Sequence, residues 1–147
     1  MKITRSENIE AWKAARELNR IVYETTKAKG FSMDLDLCRQ RRRAASSAMS
    51  NIAEGVDAGS DPEFRRFLRT ARRPTTEMQS HLYVALDQEC LVRTAFDKIY
   101  EKAASVRRFN GGFIKYLEHE TRNAQGLPLP RGWGMPDRGL RTGDWGP

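Results

Sequence analysis

Between Phe64 and Ala85, six apolar residues and one threonine fall at Phe64, Leu68, Ala71, Thr75, Met78, Leu82 and Ala85, in steps of 4, 3, 4, 3, 4 and 3. A strand cannot use that spacing, because its side chains alternate from face to face, whereas a helix gathers all seven on one narrow stripe. Such a stripe is the seam of a helix packed nearly parallel to its neighbours. This one segment therefore commits the chain to helices lying side by side.

The segment has a start signal, with Ser60 or Asp61 as N-cap and Pro62 in the first turn, where a missing N–H costs nothing. Three further segments carry helical spacing. The first runs from about Ser6 or Asn8 to Lys29, with Ile9, Trp12, Ala15, Leu18, Val22 and Thr25 on one face and Gly30 as its stop. The second runs from near Asp34 to Glu54, with Leu37, Ala45, Ala48, Met49 and Ile52 as its apolar face. Gly55 is placed to be its left-handed terminal residue, ahead of a loop "VDAGSDP". The last follows Thr94, with Phe96, Ile99, Ala103, Val106, Phe113 or Ile114, and Leu117 facing inwards. No alternating strand pattern of useful length occurs. The fold class is all-α: an up-and-down antiparallel four-helix bundle over residues 1–120, followed by a Gly/Pro-rich basic tail, 121–147, expected to be disordered.

Two places break local rules. Pro74 falls inside the third helix, at a cost of roughly 3 kcal/mol unless a kink absorbs it, so a kink is expected. Gly111 and Gly112 interrupt the fourth at roughly 1 kcal/mol each, which predicts a bend or the close approach of another backbone.

Charge is unevenly placed. From Arg39 to Arg73 there are nine arginines against four acids, whereas residues 74–120 sum to −1, within a chain total of +7. Arginine presents a planar fork of donors suited to phosphate, so the concentration favours a polyanionic partner. On the third helix Arg65, Arg69 and Arg72 share a face, with Arg66 and Arg73 alongside; the second contributes Arg39, Arg42, Arg43 and, as an option, Arg41. The competing explanation is that these arginines pair with acids on neighbouring helices. In the tail, Trp133 and Trp145 among Arg131, Arg138 and Arg141 have the make-up of a base-stacking segment, although an adventitious tail explains them as simply.

The short apolar runs exclude a membrane span, and "MKITRSENIE" lacks the apolar region of a secretion signal. A cytoplasmic location is expected. The two cysteines, Cys38 and Cys90, fall in helix-like sections without CxxC spacing and read as small core residues rather than a disulfide.

Gln40, Arg43, Ser47, Asn51 and Glu54 are spaced 3, 4, 4 and 3, a polar stripe roughly 140° round the helix from the apolar face at about 100° per residue. It is either a solvated face or a hydrogen-bonded interface between subunits, and its short side chains and alternating donors and acceptors suit the second. Chemistry is thinly represented. Glu77 and His81 stand four apart, with Glu54 as a third candidate ligand, but the paired Glu-x-x-His motifs of a di-iron bundle are missing. "NGG" at Asn110–Gly112 is too weak for a phosphate loop, and His119 reads as a surface histidine near a helix C-terminus. No enzyme activity, metal or cofactor is expected.

"QRRRAASSAMSNIAEG" followed by "SDPEFRRFLRTARRPTTEM" resembles the four-helix bundle family first met as the protein encoded by intervening sequences of bacterial 23S rRNA. Gln40, Arg43, Ala44, Ser47 and Asn51–Gly55 match one half of its pattern, and Glu63, Phe64, Arg66, Phe67, Leu68, Ala71 and Glu77 the other. "EAWKAARELNRIVYETT" and "FIKYL" extend the similarity over about residues 9–118. The chain departs from the pattern at Arg41, where the family is apolar, at Ala48-Met49 in place of Ile-Pro, and at Arg73-Pro74 in place of Gly-Ser. The resemblance implies a cytosolic homo-oligomer, often described as a pentameric ring, without known enzymatic activity and with a role in binding nucleic acid. Its relatives include accessory proteins of retroelement reverse transcriptases. Two functions are therefore expected in competition: nucleic-acid binding, RNA before DNA, through the arginine surface, or a scaffold that docks a protein partner such as a nucleic-acid enzyme.

Overall fold

The computed structural model describes residues 9–27 and 35–128. Four helices follow one another: α1 (Glu10–Lys27), α2 (Leu35–Asp57), α3 (Asp61–Asp87) and α4 (Arg93–Ala124). Among the described residues each helix packs on its neighbours in the chain, α1 closes against α4, and the backbones of the diagonal pairs stay farther apart. That square arrangement is the up-and-down bundle. No described helix is long and apolar enough to cross a membrane.

α3 starts where its sequence directs. Ser60 is the N-cap, its hydroxyl accepting from the Glu63 N–H, and Pro62 sits in the first turn. All seven residues of the spaced stripe are buried, and Gln79 joins them. On α4 the same rule holds, with Phe96, Ile99, Ala103, Val106, Phe113, Ile114 and Leu117 inside. Fully buried Leu18, Ile52, Leu68, Leu82 and Ile99 each stabilise the bundle by roughly 1.5–3 kcal/mol.

α2 departs from expectation in three ways. Its seam is Cys38, Arg41, Ala45, Ala48, Ile52 and Gly55, stepping by 3, 4, 3, 4 and 3, while Leu37 and Met49 are only half-buried. Arg41 is thus a core residue with no exposed surface, and its Nη2 donates to the His81 carbonyl at 2.9 Å. It cannot belong to a surface arginine stripe. Gly55 does not end the helix, which continues to Asp57; the left-handed glycine is Gly59, with φ of 80°. Gly55 is buried because α3 lies against it. A Cβ there would stand 2.5 Å from Phe64 Cδ2 and 3.1 Å from Phe67 Cβ.

Smaller differences are local. On α1, Thr26 is buried and Thr25 only half-buried, so the inward face ends one residue later; its hydroxyl bonds the Val22 carbonyl at 2.7 Å. The expected stop at Gly30 lies outside the described residues, as do Trp133, Trp145 and the tail from residue 129. α4 runs on to Ala124, past the change in composition at Thr121. It closes with Gly126 at φ 67°, its N–H on the Asn123 carbonyl and the Leu127 N–H on Arg122, the bonding of a Schellman motif. The same bonds end α3, Glu89 N–H to Leu86 and Cys90 N–H to Ala85, with Glu89 taking the left-handed position at φ 56°. Cys90 is therefore in the α3–α4 turn rather than in a helix, and half-buried, whereas Cys38 is buried; neither is in a disulfide.

α3 continues through Pro74. Beside it the Arg72 carbonyl takes the hydroxyls of Thr75 at 2.7 Å and Thr76 at 3.1 Å, a back-bonding that bends helices. α4 likewise continues through Gly111 and Gly112. No neighbouring backbone approaches Gly111, since a Cβ there would meet nothing within 4 Å.

Asn110 occupies a seam position, four after Val106 and three before Phe113, with no exposed surface. Neither its Nδ2 nor its Oδ1 has a hydrogen-bond partner among the described residues. An unmet buried amide costs roughly 1–3 kcal/mol. Asn110→Leu is accordingly expected to raise unfolding stability by about 1–2 kcal/mol, seen as a higher denaturant midpoint at unchanged slope; a lower midpoint would contradict this account of the site.

Candidate nucleic-acid interface

The expected arginines fall into two groups. α2 and α3 run antiparallel, with Arg41 beside His81 and Gly55 beside Phe64. Arg39, Arg42 and Arg43 therefore lie level with the C-terminal part of α3, and Arg65, Arg66, Arg69, Arg72 and Arg73 lie toward the other end. The fold separates what the sequence placed within one basic stretch.

Local partners divide them further. Arg66 bonds Glu63 at 2.9 Å and lies over the Phe67 ring, Arg73 bonds Glu77 at 3.1 Å, and Arg39 stands 3.8 Å from Asp36. Arg69 reaches across to α4, 2.7 Å from Glu118. Arg42 is tied to α1, its Nε donating to Thr26 Oγ1 at 2.8 Å and its guanidinium 4.8 Å from the Tyr23 ring centroid. Exposed pairs of this kind contribute at most about 1 kcal/mol, yet each acid cancels a charge that a polyanion would otherwise meet. Four expected residues have no acid partner among the described residues: Arg42, held instead by Thr26 and Tyr23, Arg43 and Arg72, both exposed, and Arg65, half-buried.

The α3 arginines also have company that composition concealed. Arg107 on α4 donates through Nη1 to Gln79 Oε1 on α3 at 2.8 Å, and Gln79 Nε2 donates to the Tyr100 carbonyl. Gln79 thus marks the side of α3 that meets α4. At about 100° per residue, Arg65, Arg69 and Arg72 project on that side too. Residues 74–120 carry a net charge of −1, which hid Arg107; its spacing of four and seven from Gly111 and Ile114 would have pointed to the inner flank of the helix.

The polar stripe of α2 lies on the outside. Gln40, Arg43 and Glu54 are exposed, and Ser47 and Asn51 half-buried. Asn51 turns its amide inward along its own helix, Nδ2 donating to the Ser47 carbonyl at 2.9 Å and facing Ser47 Oγ at 3.3 Å. Beyond that pair the stripe presents its polar atoms outward.

The chemical candidates are dispersed. Glu77 is engaged with Arg73, and among the described residues no three His, Cys, Asp or Glu side chains come together as a metal site. A cleft of about 670 Å³ between α1 and α2, lined by Trp12, Arg16, Asn19, Arg20 and Met49 among others, was not foreseen. Its cations are largely answered locally. Lys13 bonds Glu10, and Arg20 bonds both Glu17 and Glu24. The Arg20 hydrogen bond holds the Glu17 carboxyl below its ordinary value, and Glu17 and Glu24 in turn push the Arg20 guanidinium higher still. The cleft is near neutral in sum, and Arg16, beside the Trp12 ring, is its one cation without an acid partner among the described residues.

No curated protein matches the chain. The family model described as 23S rRNA-intervening sequence protein matches residues 7–112, which takes in the whole of α1, α2 and α3 and more than half of α4. With that match and the four-helix bundle beneath it, the chain belongs to the 23S rRNA-intervening sequence protein family.

Proposed function

We propose that this protein is a non-enzymatic homo-oligomer, a pentamer by analogy with the family, that binds nucleic acid in the cytoplasm, RNA before DNA, through arginines on its helix surfaces. The observation that carries the reading is that Arg43, Arg65 and Arg72, within a stretch of nine arginines and four acids, have no acid partner among the described residues. Repeating such a surface around a ring multiplies weak phosphate contacts by raising effective concentration. Binding of this type falls steeply with salt. A mobility-shift titration with RNA and with DNA at two salt concentrations tests it, and no binding at the lower salt sinks the proposal.

Assembly has its own test. With Gln40, Ser47, Asn51 and Glu54 on the outside of α2, Asn51→Leu or Glu54→Leu is expected to reduce the oligomer seen by sedimentation while leaving thermal unfolding of the bundle nearly unchanged, since surface substitutions typically shift stability by no more than about 0.5 kcal/mol. Unchanged sedimentation of both variants counts against an interface there.

The alternative role, an accessory subunit docking a nucleic-acid enzyme, is favoured by one feature. Tyr23, Leu35, Tyr83, Val84 and Val92 are exposed, and all lie at the end of the bundle where α1 and α3 finish and α2 and α4 begin. Exposed apolar groups gathered in this way mark protein contacts. Pull-down from the native host with nuclease treatment separates the readings, because a partner lost on treatment was bridged by nucleic acid.

A further inference from the structure

α3 and α4 face each other along a groove whose register is set by three contacts. The Phe64 ring meets Phe113 edge-on with centroids 5.1 Å apart, Arg69 holds Glu118, and Arg107 holds Gln79. On α4, Arg107, Gly111 and Glu118 follow at intervals of four and seven, so they share one stripe. Because the first and last both reach α3, Gly111 faces α3 as well. Yet a Cβ on Gly111 would meet nothing within 4 Å. The floor of the groove is therefore open over bare backbone at that point.

The walls of this notch are rich in donors and poor in acceptors. Arg72, exposed and without an acid partner, is one turn along α3 from Arg69 in the direction of Gln79 and Arg107. The Nε–H groups of Arg65 and Arg107 are shielded from solvent and meet no acceptor among the described residues. Glu118, on the same stripe, is held by Arg69. The complement of such a site is a compact anion with several acceptor oxygens, which guanidinium forks bind with two parallel hydrogen bonds. A glycine lets that anion come close to the helix backbone where any side chain would stand in the way.

We infer that the notch over Gly111 seats a backbone phosphate of bound nucleic acid, with Arg72 and Arg107 as its side-chain donors. This rests on the nucleic-acid reading above and adds a location to it. The test uses the full chain and a labelled single-stranded RNA of mixed sequence, titrated across a salt series. Gly111→Leu fills the notch and is expected to weaken binding and to lower the slope of log K against log salt by about 0.7, the share of one phosphate contact on a single strand. Its thermal midpoint stays at or above that of the unsubstituted protein, since leucine is the better helix former and has open space. Gly111→Ala falls between the two in affinity. Ser80→Leu, on an exposed part of α3, leaves the slope as it was. A folded Gly111→Leu or Gly111→Ala protein with unchanged affinity and slope overturns the notch while nucleic-acid binding stands; failure of the unsubstituted chain to bind overturns both.

Discussion

Replacing Gly55 by alanine is expected to destabilise the bundle, although helix propensity alone says the opposite. Gly55 lies within α2, where alanine is favoured over glycine by about 1 kcal/mol. Against that gain stands the position of Phe64, whose Cδ2 and Cε2 would be 2.5 and 2.9 Å from the new Cβ. The ring has little room to retreat, being buried and packed edge-on against Phe113, and Phe67 Cβ closes the other side at 3.1 Å. Overpacking a tight site costs roughly 1–3 kcal/mol, so a net loss of up to about 2 kcal/mol is expected after the propensity gain is subtracted. Thermal or denaturant unfolding measures it.

A double-mutant cycle identifies the cause. If Phe64 is the obstacle, Gly55→Ala costs less in a Phe64→Leu background than in the native one, because the shorter side chain vacates the space. If Gly55 instead served a left-handed helix end, the cost would be the same in both backgrounds. Gly111→Ala is the natural control, a glycine inside a helix with nothing within 4 Å of its missing Cβ, and it is expected to gain up to about 1 kcal/mol.

Gly55 also shows where sequence reasoning stops. The spaced stripe of α3 was legible, since a residue spacing of four and three repeats only when one narrow stripe is buried, and all seven of its residues are inside, although buried Gln79 beside them was not foreseen. On α2 the same period is present, at Cys38, Arg41, Ala45, Ala48, Ile52 and Gly55, but two of its positions carry residues that ordinarily mean something else. An arginine reads as surface and a glycine near a helix end reads as its terminator. Only the approach of α3 tells a packing glycine from a terminal one, and that is a distance between segments. Arg41 in the core is tied to the His81 carbonyl, a contact between residues 40 apart in the chain that no local pattern encodes. Arg107 was missed for the converse reason. Net charge averages over a segment, whereas a groove collects single residues from two.

The same distinction decides which arginines the proposed nucleic-acid binding would depend on. Replacement of Arg43, Arg65 and Arg72 together by glutamine is expected to reduce nucleic-acid affinity far more than replacement of Arg39, Arg66 and Arg73, although each set removes three positive charges. Arg39, Arg66 and Arg73 stand within ion-pair distance of Asp36, Glu63 and Glu77, so a phosphate must compete with a carboxylate already in place. Arg43, Arg65 and Arg72 have no such competitor among the described residues, and each contact they made to a phosphate would release counterions from the nucleic acid. Loss of three such contacts lowers the slope of log K against log salt by about 2 on single-stranded RNA. The acid-paired set should lower it by well under 1. Both triple variants are expected to keep the melting behaviour of the native bundle, because none of the six side chains is in the core. Equal losses of affinity from the two sets would mean that binding responds to total charge and that the pairing pattern plays no part in it; the opposite order would place the interface along the acid-paired Arg39 of α2 and Arg66 and Arg73 of α3.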